Sequence, residues 1–238
     1  MNDEPTKGER TRAAILDKAA AVATEVGLEG LSIGQLADAT GMSKSGLYAH
    51  FGSKRDLQLA TIEAARQTFV EEVMRPALRS PKGVERLLAV CGTYLSHVER
   101  RVFPGGCFFS AAAVDIGTRP GPVHDAIVAQ QLEWLSLLER LAREAMECGD
   151  LAQDIDPAQL AFELQALLVA ANTAFILRGD TGAFVRSLDA IRTRLQAPDI
   201  ASNGRPDQSG GTPRVTTGGA ISDAARSRRP AAELQSSA

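Results

Sequence analysis

The sequence predicts an all-α protein of about nine helices, and three observations predict it. Apolar residues recur at spacings of three and four along most of the chain as far as residue 197. Glycine and proline fall between those periodic stretches: at Gly27, Gly41, Pro104 to Gly106, Pro120 to Pro122, and Gly149. No pair of alternating apolar and polar runs offers a β pairing.

Residues 1–8 read as a loose arm. From Glu9 to Val26, Ile15, Ala19, Val22 and Val26 form one stripe, and Gly27 ends the helix. Leu28 and Leu31 bracket a short loop. Ser32 is an N-cap with Gln35 three residues on, a capping-box spacing, and Leu36 and Ala37 face inward. Gly41 supplies a turn that needs positive φ. Ser43 is the next N-cap and opens a helix through Phe51. Ser53 and Asp56 form another capping box, starting a helix through Leu57, Ala60, Ala64 and Phe69 toward Met74, where Pro76 ends it or bends its last turn.

Pro81 suits the first turn of the following helix, whose inner face is Val84, Leu87, Leu88, Cys91 and Leu95. Cys107 to Val114 is almost wholly apolar, hence expected to be buried all round. A long helix from about Val123 to Glu147 carries Ile127, Trp134, Leu138, Leu141 and Ala145 on its stripe. Asp156-Pro157 caps a helix to about Arg178, with Leu160, Leu164, Leu167, Ala171 and Phe175 on one face and Ala161, Ala166, Ala170 and Ala174 elsewhere. That helix is apolar on more than one face. The last, about Gly182 to Gln196, sets Phe184, Leu188, Ile191 and Leu195 on one side. Residues 198–238 are rich in Gly, Pro, Ser and Thr, and read as a disordered tail whose Arg226, Arg228 and Arg229 are at most non-specific nucleic-acid contacts.

Composition narrows the function. The chain has 238 residues, 44% apolar, with a net charge of −3. No run approaches the roughly 20 uninterrupted apolar residues of a membrane span, and the polar N-terminus lacks a signal-peptide core; a cytoplasmic protein with no membrane role is expected. Cys91, Cys107 and Cys148 are odd in number and far apart, without disulfide or metal-ligand spacing. No metal and no cofactor are expected. From Thr40 to Arg55 the chain carries Lys44, Lys54 and Arg55 and no acid. A local basic patch is all a DNA-contacting surface requires. The short helix after Gly41 presents Lys44, Ser45, Tyr48 and His50, and a helix of this kind packed on a partner through a Gly-containing turn is the layout of a helix-turn-helix, here about 32–51.

Residues 9–56 resemble the DNA-binding domain of the TetR/AcrR family of transcriptional regulators. The resemblance lies in Ala13-Ala-Ile-Leu16, Gly27-Leu-Glu-Gly-Leu-Ser-Ile33, Leu36-Ala37, Gly41-Met-Ser-Lys-Ser-Gly-Leu-Tyr48-Ala-His-Phe51 and Ser53-Lys-Arg-Asp-Leu57. Gly105 to Phe109 and Arg119 to Val123 look like one subgroup's regulatory domain, while the long polar tail departs from the family. The resemblance implies a homodimeric, ligand-responsive regulator, most often a repressor. Its DNA-reading residues carry over onto Ser32, Ser43, Lys44, Ser45, Gly46, Tyr48, His50 and Lys54. Serines at helix N-termini and Lys54 suit phosphate contacts, and residues early in a reading helix reach base edges.

The remaining 57–197 then form a regulatory and dimerisation region. The two-faced helix at 157–178 and the helix at 182–196 are expected to pair with their two-fold mates, so a near-palindromic operator in double-stranded DNA is the expected partner. A pocket for a small apolar effector is expected among 81–147, lined by Phe103, Cys107, Phe109, Val114, Trp134 and Leu138, with Asn172 as polar contact. Two rival readings stand beside this one: a helical bundle with no DNA role, and an α-helical enzyme with Cys107 as nucleophile and His97 or His124 as base, for which nothing in the sequence brings the groups together.

Overall fold

The computed structural model describes residues 6–196; the tail assigned to 198–238 and the first residues of the N-terminal arm lie outside them. Among the described residues there are nine helical rods and no strand. They are α1 (Lys7–Val26), α2 (Ile33–Thr40), α3 (Lys44–Phe51), α4 (Lys54–Phe69, extended by a π-helical turn Val70–Met74 and a last turn Arg75–Ala77), α5 (Val84–Glu99), α6 (Phe108–Ile116), α7 (Pro122–Glu147), α8 (Pro157–Arg178) and α9 (Gly182–Gln196).

The helix starts are written in side-chain oxygens. Thr6 caps α1 with a full capping box: its Oγ1 accepts from the Glu9 N–H at 3.2 Å, and Glu9 Oε2 accepts from the Thr6 N–H at 2.7 Å. The helix therefore begins two residues before the expected Glu9. Ser32, Ser43, Ser53 and Asp156 cap α2, α3, α4 and α8, as the sequence predicts. The boxes at Ser32 and Ser53 are half-boxes. Ser53 accepts from the Asp56 N–H, but its own N–H goes to the Phe51 carbonyl at 2.8 Å. Pro81 lies before α5 rather than in its first turn. The helix starts at Val84, whose N–H is accepted by Asp150 from the loop after α7 at 2.9 Å.

Two stripes need correction. Val26 is exposed, because the buried face of α1 runs through Ile15, Leu16, Ala19, Ala20 and Ala23 and rotates away before the last turn. The apolar segment 107–114 is not buried all round: Val114 is 85% exposed on the outer face of α6. The buried face runs through Phe108, Phe109, Ala112 and Ile116, and Val114 is out of phase with it.

A continuous core joins all of these elements. Leu28, Leu31, Leu36, Leu47 and Leu57 are fully buried among α1–α4, and α4 runs on to pack against α7. The second half is centred on α8, which packs against α5, α7 and α9. By length and composition α8 is apolar enough to cross a membrane. Its buried side packs as Leu160, Leu164, Leu168 and Phe175, while Phe162 (65% exposed) and Leu177 (73% exposed) stand outside.

Candidate functional site

α3 is fixed by two buried anchors, Leu47 and Phe51, and by its cap. Ser43 Oγ accepts from the Gly46 N–H at 3.1 Å and lies 3.2 Å from Ser45 Oγ. The guanidinium of Arg12 on α1 sits 5.1 Å over the Phe51 ring, a stabilising contact that local pattern does not reveal. With Leu47 and Phe51 inward, Lys44, Ser45 and Tyr48 are turned out; Tyr48 is 54% exposed and His50 partly so. Tyr48 is thus a surface aromatic, not a core one. A methyl group on Gly34 would meet Lys44 Nζ at 3.9 Å and Ser32 Oγ at 3.8 Å, so Lys44 lies across the start of α2 beside Ser32. Gly46 is small for a local reason: a Cβ there would sit 3.2 Å from Ser43 Oγ and crowd the cap.

Lys54 does not project freely. Its Nζ donates to the Glu29 carbonyl at 2.6 Å and lies 3.4 Å from Glu29 Oε2. Gln58, buried, donates to the Leu28 carbonyl at 2.8 Å and to Glu29 Oε1 at 3.3 Å. Arg119 lies 3.8 Å from the same Oε2. The Glu29 N–H in turn donates to Asp115 Oδ2, at the end of α6, at 2.7 Å. Partial burial pushes the Glu29 carboxyl up, but the Gln58 hydrogen bond and the Lys54 and Arg119 charges outweigh it and hold it below the usual carboxylate range. A second joint lies nearby: the Gly105 N–H donates to Thr24 Oγ1 at 3.0 Å. The loop after α1 is therefore clamped between Lys54 and the 105–119 segment. Sequence reasoning missed Glu29, because its partners lie 25 to 90 residues away.

A crevice lies where α4, α5, α6, α7 and α8 meet. It is lined by Phe69, Tyr94, Cys107, Phe109, Ser110, Gln130, Gln131, Trp134 and Gln165 and encloses about 20 Å³. The Phe69 ring stands edge-on to Tyr94, Phe109 and Trp134, at 6.3, 6.1 and 5.3 Å between centroids. Tyr94 stacks on Trp134 at 5.9 Å and its hydroxyl meets Ser110 Oγ at 3.3 Å. Burial, then the neighbouring Cys107 thiol, pushes the Tyr94 phenol well up, so it is neutral.

Of the expected lining, Cys107, Phe109 and Trp134 are there. Phe103 and Leu138 are buried in the core outside it, and Phe103 packs on His97 and Phe108. Val114 is on the surface. Asn172 stands behind the wall, its Oδ1 accepting from the Cys107 N–H at 3.0 Å. The lining residues that periodicity could not nominate are the polar ones, Ser110, Gln130, Gln131 and Gln165, and Phe69 and Tyr94, which come from helices read as core. Among the described residues no hydrogen bond joins Cys107 to a histidine: His97 has both ring nitrogens unpartnered, and His124 Nδ1 contacts Asp125.

Comparison with known proteins adds identity to this geometry. Residues 15–61 match the family described as bacterial regulatory proteins, tetR family, and residues 83–191 match the tetracyclin repressor-like C-terminal domain. The chain belongs to the TetR family. The TetR-family chain is 28% identical over 139 residues to the transcriptional regulator AcuR of Cereibacter sphaeroides, a match covering 58% of this chain and 64% of that relative, less than two thirds of it. Its fold is that of a TetR regulator from Chloroflexus aurantiacus J-10-FL (TM-score 0.74, 24% identity, 79% of this chain and 96% of that one). It is also similar to AibR, solved in complex with isovaleryl coenzyme A and operator DNA (TM-score 0.61, 27% identity, 79% and 100% covered). A cysteine mutant of the TetR-family regulator CifR, solved with 26-base-pair operator DNA, gives a TM-score of 0.66 at 25% identity, with 82% and 99% covered. The family assignment makes this chain a DNA-binding transcriptional regulator, not a helical bundle without a DNA role.

Proposed function

We propose that the TetR-family chain is a cytoplasmic homodimeric repressor released from its operator by a small, mainly apolar ligand. The observation that carries the reading is the outward face of α3: Lys44, Ser45 and Tyr48 project with no acid among them, beside Ser32 and Ser43. In this reading 9–56 is the DNA-binding domain, and Ser32, Ser43, Lys44, Ser45, Gly46, Tyr48, His50 and Lys54 form the operator face. Residues 57–197 then form the regulatory and dimerisation domain. Lys54 reaches phosphate only by leaving Glu29.

The dimer rests on α8. Phe162, Ala166, Ala170, Thr173 and Leu177 are exposed at spacings of four, four, three and four, a single stripe, and Val185 of α9 is exposed as well. Small residues in such a stripe let a second helix approach closely. Two-fold pairing sets the two reading helices about 34–36 Å apart or a multiple of it, hence a near-palindromic site.

The ligand site is the aromatic crevice. Small-molecule sites usually hold roughly 300–1,000 Å³, far above the 20 Å³ enclosed here. A ligand must therefore part Phe69, Tyr94 and Trp134, which makes its entry a conformational event. AibR is solved with isovaleryl coenzyme A, and the short acyl end of that molecule, not its phosphorylated nucleotide, is the part whose chemistry suits this crevice.

The test is selection and sequencing of DNA fragments bound by the purified protein, then transcription in vitro from a template carrying the selected site. Repression that a crevice-binding compound relieves supports the reading. Stimulated transcription, or no selected sequence, overturns it.

A further inference from the structure

The hydroxyl and amide side chains on the crevice wall are already engaged. Tyr94 and Ser110 meet at 3.3 Å, and Gln131 donates to the Phe109 carbonyl at 3.3 Å. Gln130 donates to Glu133 at 3.1 Å, and Gln165 accepts from Trp134 at 2.6 Å. A ligand that uses one of these groups competes with a bond inside the protein.

One buried polar group beside the crevice is not engaged. His97 lies three residues beyond Tyr94 on α5, so the two side chains share a face. His97 is 1% exposed, and its Nδ1 and Nε2 are the only buried side-chain N or O atoms among the described residues without a hydrogen-bond partner. Buried polar groups are nearly always paired, because an unpaired one forgoes the hydrogen bonds it makes to water when unfolded. A single ring stands between this imidazole and the crevice. Phe69 is edge-on to Tyr94 at 6.3 Å and to Trp134 at 5.3 Å, and it is edge-on to His97 at 6.0 Å. Phe103 covers the imidazole as well, at 5.5 Å.

We propose that His97 is the polar contact of the ligand site, uncovered when a ligand parts the Phe69 ring from Tyr94 and Trp134, and that it selects a small apolar molecule carrying an uncharged carbonyl. This rests on the ligand-release reading above. Glu72 from the π turn and Arg100 on α5 are the charged groups that act on the imidazole, and they bind each other at 2.6 Å. Burial outweighs both and favours the neutral ring. A neutral imidazole has one N–H to give. A carbonyl oxygen needs one donor and brings no proton of its own. A carboxylate would arrive with a charge that Arg100, held by Glu72, is not free to meet, and burying it unpaired is costly. A hydroxyl would have its own proton to place. A hydrocarbon would leave the imidazole unpaired.

The test uses the full chain and the methyl ketones from butanone to octanone, each matched with the alkene in which a CH2 group replaces the oxygen. The two members of a pair have nearly the same shape. Comparing their affinity ratio between wild type and His97→Leu cancels their different hydration. By calorimetry, the ratio of ketone to alkene affinity is expected to fall about tenfold in His97→Leu, as for the loss of one buried hydrogen bond. The wild type gives a second reading through the imidazole nitrogen resonances of its three histidines. His50→Gln and His124→Gln, at partly exposed positions, assign those of His97 by elimination. Bound ketone is expected to move the His97 resonances further than bound alkene does. An unchanged affinity ratio in His97→Leu, or His97 resonances that bound ketone leaves in place, overturns the assignment of His97 and leaves the ligand site standing. A wild type that binds its operator but takes up neither member of any pair overturns the crevice as a site for small apolar ligands, and this contact with it.

Discussion

Trp134 donates its indole N–H to Gln165 Oε1 at 2.6 Å, tying α7 to α8 at the wall of the crevice. The bond joins the wall of the crevice to the helix that carries the exposed apolar stripe. Gln165→Leu leaves the N–H with no acceptor. The expected cost is about 1–3 kcal/mol, which for a chain of this size lowers Tm by about 2–4 °C per kcal/mol. Calorimetry checks the loss. Trp134 emission is expected to shift in the same variant, because its polar partner has gone.

Leu177→Lys places an ammonium at one end of the proposed dimer stripe, next to the end of α8. Since Leu177 is on the surface of the single chain, helicity by circular dichroism is expected to stay unchanged. Light scattering during size exclusion is expected to report a monomer where the wild type gives a dimer. A wild type that elutes as a stable monomer at micromolar concentration removes the premise.

Tyr48→Ala and Lys44→Ala are each expected to weaken operator binding by about 1–3 kcal/mol while non-specific binding changes little. Lys54→Ala is expected to weaken all duplexes alike and to flatten the salt dependence by about one unit of slope per reading domain. Glu29→Gln releases Lys54 from its carboxylate and is expected to tighten binding to DNA of any sequence. Filter binding across a salt series separates the variants. An unchanged slope in Lys54→Ala would mean that the lysine serves the loop after α1 and not the phosphate.

Burial pushes the His97 imidazole down to about 4, against the ordinary 6.5, with Arg100 adding to the shift and Glu72 opposing it. Between these two values the unfolded chain binds a proton that the folded chain refuses. The His97 contribution is therefore complete above pH 6.5, falls as pH drops through that window, and reaches its floor below about pH 4. The full swing is about 3 kcal/mol at most. Urea titrations at pH 7, 6 and 5 are expected to show a loss that His97→Leu largely removes. The variant also deletes two unpartnered nitrogens, so at pH 7 it is expected to be no less stable than wild type.

What the sequence makes legible follows from how local each signal is. The caps at Ser32, Ser43, Ser53 and Asp156 depend on neighbours within three residues, and each lies where its spacing says. Leu47 and Phe51 against Lys44 and Tyr48 is a question of helical phase, again local. The crevice is different. Cys107, Phe109 and Trp134 could be picked as apolar or aromatic residues in the right region, but Gln131 and Gln165 face inward only because a partner helix supplies the Phe109 carbonyl and the Trp134 N–H. Val114 had the composition of a wall residue and the wrong phase. The π turn was half legible: Pro76 signals a bend, but a turn that widens at Val70–Met74 and continues has no local sequence sign.

The bare stripe on α8 gives the chain a stake in its own abundance. If a second copy covers Phe162 and Leu177, folded protein is drawn out of the unfolded pool by mass action, and that pull weakens on dilution. A cell holding few molecules then has less operator occupancy and also a less stable regulator, open for longer to aggregation through the same apolar face. Copy number and turnover are in this way linked by five side chains on the outside of one helix.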